Sequence, residues 1–232
     1  MTWTNETSRP EDAALERAWD ALNQALDGRV RVSVQMRITA CVRDILSFVA
    51  LLRNLEAGEI ARSEALEAAH VDWNRSDKRT APAAEWDSHL SFQFAAAFKA
   101  TYYFVRALQD SVYAALLEVT GQRAGVYSSM QDCAKNPANP IRPVINQALP
   151  DYFGWFADLR AVRNTMKLGA STAFGFYGAA EAKQVRVILQ DIDDANRHVS
   201  QGRELSLVDI EVCLTQSGRL VQWAAEYITA AA

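Results

Sequence analysis

One segment of the chain places several cations where they could hold an anion. Arg160, Arg163, Asn164 and Lys167 lie within eight positions of one another. At about 100° per residue, the three cations fall on one side of a helix. Arginine binds phosphate through two parallel hydrogen bonds, and lysine binds it as a point charge. The spacing therefore predicts a helix face that binds phosphate or another anion.

The same stripe begins with apolar residues, since Leu149, Phe153 and Phe156 precede the cations on it. A solvated helix face does not begin so apolar, so we expect Phe153 and Phe156 to pack against another helix or a second subunit. If they do, the cations at the other end of the stripe lie in the cleft beside that packing contact. In the alternative interpretation, the cations only complement the negative end of the helix dipole.

The helix that must position this stripe begins at Pro150 and ends at Gly169. Four further helices are predicted from apolar spacing and helix-ending residues, over 10–27, 34–55, 58–70 and 205–228, and one long helix fills most of 83–120. Alternating β-branched and aromatic residues within 172–189 predict a small β-hairpin. The expected fold class is mainly α: an antiparallel helical bundle with a possible hairpin insertion. The polar stretch 74–82 predicts a boundary between an N-terminal helical region, 1–82, which packs on the bundle, and a helical domain, 83–232.

Composition excludes several classes of protein. The 232 residues are 50% hydrophobic and carry a net charge of −4, which argues against a generic binder of polyanions. The three cysteines and three histidines lack metal-ligand spacing, so we expect neither a metal nor a cofactor, and the odd, scattered cysteines suggest a reducing compartment such as the cytoplasm. No apolar run is long enough for a membrane span. Phosphate loops, nucleophile elbows and paired-cysteine motifs are also missing.

A resemblance rests on the run Leu159-Arg160-Ala161-Val162-Arg163-Asn164-Thr165-Met166-Lys167-Leu168-Gly169, preceded by Tyr127-Ser128-Ser129-Met130 and Asn139-Pro140-Ile141. These residues resemble uncharacterised bacterial members of the HEPN superfamily, over roughly 86–228. The resemblance implies a compact helical bundle that forms a homodimer. Active HEPN proteins are metal-independent endoribonucleases that use an arginine followed, four to six residues on, by a histidine. Arg163 matches the motif arginine, Asn164 the polar residue after it, and Lys167 the cation before the histidine.

The histidine position of that motif holds Leu168. Metal-independent cleavage needs a group that titrates near neutral pH, which leucine cannot supply. The sequence therefore predicts a non-catalytic HEPN-like protein that dimerises and binds RNA, a nucleotide or a protein partner. An atypical ribonuclease built on Arg163 is the first alternative, and a purely structural assembly module is the second. The aromatic cluster of Tyr102, Tyr103, Phe104 and Tyr113 could stack bases, but its helical spacing favours core packing.

Overall fold

The computed structural model describes residues 9–75, 88–122, 129–167, 171–179, 182–192 and 198–231. Along these residues the order of elements is α1 (Pro10–Leu26), α2 (Val32–Arg75), α3 (Ser88–Val119), α4 (Met130–Lys135), α5 (Ile141–Ala148), α6 (Tyr152–Lys167), β1 (Ser171–Ala179), β2 (Ala182–Ile192), β3 (His198–Leu205) and α7 (Leu207–Ala230). The predicted mainly helical bundle is confirmed.

Consecutive long helices run in opposite directions. Gly28, with a φ of 69°, turns the chain between α1 and α2 in a conformation that glycine adopts without strain. The rings of Phe48 on α2 and Phe104 on α3 stack with centroids 5.7 Å apart. Helix α7 runs parallel to α1. Arg9 at the start of α1 forms an ion pair with Glu211 near the start of α7, and Arg29 just after α1 donates a hydrogen bond to the carbonyl of Ile228 near the end of α7.

Helix α2 corrects the prediction of two separate helices over 34–55 and 58–70. The structure has one helix of 44 residues that continues through Gly58. A Cβ at Gly58 would meet nothing within 4 Å, so no close packing requires glycine there. Glycine weakens a helix by only about 1 kcal/mol, which long flanking segments can offset.

The predicted β-hairpin is present, and a third strand that the sequence did not predict extends it. The strands form one antiparallel sheet in the order β1-β2-β3. Val185, Val187 and Leu205 bury their side chains in the common core. Glu56 on α2 accepts a hydrogen bond of 3.0 Å from the backbone N–H of Val185, which ties β2 to α2. Burial raises the pKa of Glu56 above its ordinary value.

Two short helices, α4 and α5, lead into α6. Ser129 caps α4 by accepting a hydrogen bond from the backbone N–H of Asp132, and Asp110 on α3 accepts one of 2.8 Å from the N–H of Met130. Helix α6 begins at Tyr152, two residues after the predicted start at Pro150. The predicted end at Gly169 lies outside the described residues. So does most of the stretch 74–82, which leaves the proposed boundary at residue 82 a prediction.

A chain of buried polar side chains crosses the core between α6, α3 and α7. The Tyr152 hydroxyl donates to Oε1 of Gln109 at 2.5 Å, and Nε2 of Gln109 donates to the Ser217 hydroxyl at 3.2 Å. Gln109 and Ser217 are fully buried, and Tyr152 is 1% exposed. Buried polar groups need such partners, so this chain fixes how α6 sits on the bundle.

Candidate anion-binding face of α6

The second half of α6 carries the predicted anion-binding residues. Arg160 and Arg163 are half-buried, and Asn164 is exposed. Lys167 is the last residue of α6, and its side chain lies outside the described residues. Nη1 of Arg163 and Oδ1 of Asn164 are 3.5 Å apart, the long limit of a hydrogen bond. Within α6, Arg160, Arg163 and Asn164 thus lie close together, as their spacing predicts.

Arg163 is held against an aromatic ring of α3. The central carbon of its guanidinium lies 4.9 Å from the centroid of the Tyr103 ring, an ordinary cation–π distance. Its Nε is buried and has no hydrogen-bond partner among the described residues, and no carboxylate there forms an ion pair with it. The ring orients the guanidinium without neutralising it.

The two helix segments that meet at this contact contain no acidic residue. Residues 159–167 of α6 and 88–109 of α3 include Lys99, Arg106, Arg160, Arg163 and Lys167, and neither segment has an aspartate or a glutamate. The chain as a whole is negative, with a net charge of −4. Arg106 is paired with Asp110 on α3. Around the Tyr103 contact, the cations that form no ion pair with a described residue are therefore Lys99, Arg160 and Arg163, and their charge favours an anion there.

Phe156 does not have the predicted role of an interface anchor. It is 1% exposed in the core of its own chain, where its ring stacks on Tyr152 and lies 4.9 Å from the guanidinium carbon of Arg106. Arg106 of helix α3 covers Phe156, which is intramolecular packing of the kind that the sequence left open. Phe153 is half-buried and lies 5.8 Å from the guanidinium carbon of Arg142 on α5. Of the two predicted interface rings, Phe153 is the one that is only partly buried.

Tyr103 is the member of the aromatic cluster for which the expected core position is wrong. Tyr102 and Tyr113 are 3% exposed in the core, as their spacing predicts, whereas Tyr103 remains 38% exposed. Its partner Arg163 is 60 residues away in sequence, so no local spacing could reveal the contact. The sequence contained one signal for an exposed Tyr103: it follows the core position Tyr102 in a helix segment, 88–109, that has no aspartate or glutamate.

Among the described residues there is neither a metal-binding cluster nor a reactive thiol at Cys133 or Cys213. Leu168 and the side chains of all three histidines lie outside them. No group of three or more metal-ligating side chains forms among the described residues. Burial raises the pKa of Cys133 to about 12, and the pKa of Cys213 is likewise raised to about 12, so neither is a reactive thiol.

Comparison with known proteins returns no match, whether the chain is compared with family models, with curated proteins or with solved structures. None of the described helices combines the length and the apolar composition that crossing a membrane requires. The resemblance to HEPN proteins therefore remains a prediction that rests on its motif residues, and function must be argued from the α6 face.

Proposed function

We propose that this protein is a non-catalytic RNA-binding protein of HEPN type, which acts as a homodimer and contacts RNA phosphates through the α6 face. Arg160, Arg163, Asn164 and Lys167 would supply these contacts. The observation that carries the proposal is the position of Arg163, whose guanidinium is oriented by Tyr103 and has no carboxylate partner among the described residues.

Charge and geometry support an RNA phosphate as the bound group. A guanidinium offers two parallel donors to a phosphate, and its partly buried position strengthens each charge-assisted hydrogen bond. The exposed part of the Tyr103 ring lies beside the cation, and aromatic rings are common stacking surfaces for unpaired bases. A single-stranded RNA presents both a phosphate and an unpaired base to such a pair.

Binding without cleavage follows from the residue types of the face. Arginine stays protonated at neutral pH, so Arg163 can stabilise a phosphate but cannot remove the proton of a 2′-hydroxyl. The motif position that would hold a histidine is Leu168. A ribonuclease would need a proton-transferring group that this motif does not supply.

Fluorescence anisotropy with a short labelled single-stranded RNA tests the proposal. Arg163→Ala should weaken binding by about tenfold, the effect of one lost charge-assisted hydrogen-bonding group. It should also lower the dependence of log affinity on log salt by about 0.7. Arg37→Ala is the matched control, because Arg37 is an exposed arginine on α2 and its loss changes the net charge equally.

Unchanged RNA binding in Arg163→Ala, or equal losses in both variants, would overturn the assignment of the α6 face. Gel analysis of the same RNA provides the second readout. Shortening of the RNA by wild-type protein, abolished by Arg163→Ala, would replace the non-catalytic proposal with the ribonuclease alternative.

A further inference from the structure

The outer side of α3 continues from Tyr103 toward the start of that helix. Four residues share this side, because they are separated by four, three and four positions. They are Phe92, Ala96, Lys99 and Tyr103, and we refer to them as the α3 stripe. The stripe leads away from the contact between Tyr103 and Arg163, so it extends the α6 face onto a second helix.

Phe92 presents an aromatic ring to solvent. It is 73% exposed, more than any other large hydrophobic residue that the structure describes. None of the ring pairs formed by described residues includes it. Packing among the described residues therefore does not account for an aromatic side chain at this position.

Between the two rings, the α3 stripe carries one cation and no bulky side chain. Lys99 is half-buried and forms no ion pair with a described residue. Ala96 is exposed, and its methyl group is too small to obstruct the surface between Phe92 and Lys99. Residues 88–109 include neither aspartate nor glutamate. A polyanion that follows this surface meets a positive charge and no carboxylate of this segment.

The distance between the two rings sets the kind of strand that could use both. Phe92 and Tyr103 are 11 positions apart, which is about 16 Å along the helix axis at about 1.5 Å per residue. Neighbouring stacked bases of one strand are only about 3.4 Å apart. Adjacent stacked bases therefore cannot occupy both rings, and a strand that reaches both has to be extended, with at least one nucleotide between the two bases.

We infer that the α3 stripe is the continuation of the RNA site, in which Phe92 stacks a second unpaired base and Lys99 contacts a phosphate between the two bases. The inference rests on the proposed RNA binding at the α6 face, and it specifies the substrate as an extended single strand of at least three nucleotides. Aromatic rings with cations beside them suit single strands, because every base has a flat face that can stack. A duplex keeps its bases paired and stacked inside, so it cannot use Phe92 in this way.

Fluorescence anisotropy with labelled oligouridines of two and six nucleotides tests the length of the site. Wild-type protein should bind the hexanucleotide at least about fivefold more tightly than the dinucleotide, which cannot reach both rings. Phe92→Leu keeps an apolar side chain without the ring and should abolish this advantage, whereas Phe92→Trp should retain it. Met36→Leu is the matched control, because Met36 is an apolar residue with 66% exposure on α2.

The salt dependence of hexanucleotide binding tests the phosphate contact. Lys99→Gln should lower the dependence of log affinity on log salt by about 0.7, the contribution of one phosphate contact to a single strand. Lys135→Gln is the matched control, because Lys135 is an exposed lysine on α4 and its loss changes the net charge equally. An unchanged salt dependence in Lys99→Gln would contradict the phosphate contact.

A length advantage that survives Phe92→Leu, or that wild-type protein lacks, would overturn the inference. If Arg163→Ala still weakens binding in that case, the proposed function stands without the α3 stripe. If Arg163→Ala changes the binding of neither oligonucleotide, the proposed function fails and the inference fails with it. Light scattering of Phe92→Leu should give the wild-type mass, since a lower mass would assign Phe92 to a contact between chains and overturn its role in base stacking.

Discussion

Tyr152 ties α6 to the rest of the bundle through one buried hydroxyl. That hydroxyl donates to Gln109, which in turn donates to Ser217 on α7. Both partners are fully buried, so water cannot replace a lost hydrogen bond in this chain. The position of Arg163 on the same helix depends on this attachment.

Removal of the Tyr152 hydroxyl therefore has a defined cost. Tyr152→Phe should lower the free energy of unfolding by about 1–3 kcal/mol, because Oε1 of Gln109 loses its donor inside the core. Urea denaturation measures the difference. Tyr227→Phe removes the same group from a partly buried tyrosine that stacks on Trp223, and we expect a change below about 0.5 kcal/mol. A comparable loss in the two variants would contradict a special role for Tyr152.

At the scale of the element, α2 contains a glycine that its packing does not require. Gly58→Ala should raise the free energy of unfolding by about 0.5–1 kcal/mol, because alanine restricts the unfolded chain and the helix has space for its methyl group. Thermal denaturation measures the change. Gly28→Ala, at a φ of 69°, should be destabilising by about 1 kcal/mol or more. Destabilisation by Gly58→Ala would indicate that α2 is interrupted at that residue.

The sequence predicts most helices, because apolar spacing and helix-ending glycines are local signals. Gly28 and Gly121 both adopt a positive φ where the pattern places helix ends. Gly58 is also a glycine, but it lies inside α2 without a positive φ, so the helix end that it predicts is wrong. Strand β3 was missed because His198–Leu205 contains Ser, Gln, Gly and Arg and lacks the alternation that marks a strand. Hydrogen bonding to β2 stabilises β3 as a strand, although the composition of β3 does not predict one.

The candidate site was predictable only in part. Spacing along α6 places Arg160, Arg163 and Asn164 together, since all three lie on one helix. The contact with Tyr103 and the burial of Phe156 depend on how α3 packs against α6. Long-range packing of this kind leaves no local pattern, so an apolar stripe predicts burial without specifying which surface covers it.

At the scale of the whole molecule, the predicted homodimer has one anchor left, Phe153. We expect light scattering to give twice the chain mass of 25.7 kDa, and Phe153→Asp to reduce it to the single-chain value. Phe92→Asp is the matched control, because Phe92 is a phenylalanine on α3 with 73% exposure. A single-chain mass for wild-type protein at high concentration would contradict the dimer, and RNA binding by one chain would then have to be tested separately.

The parallel packing of α1 on α7 joins parts of the chain that are far apart in sequence, so α1 leaves the ribosome well before α7. Arg9 and Glu211 are 202 positions apart, and Arg29 and Ile228 are 199 apart. Leu15 and Leu22 on the apolar face of α1 are fully buried in the folded chain, and this face is not covered completely until α7 has been synthesised. A nascent chain must therefore shield this face, by itself or with a chaperone, until translation of α7 is complete.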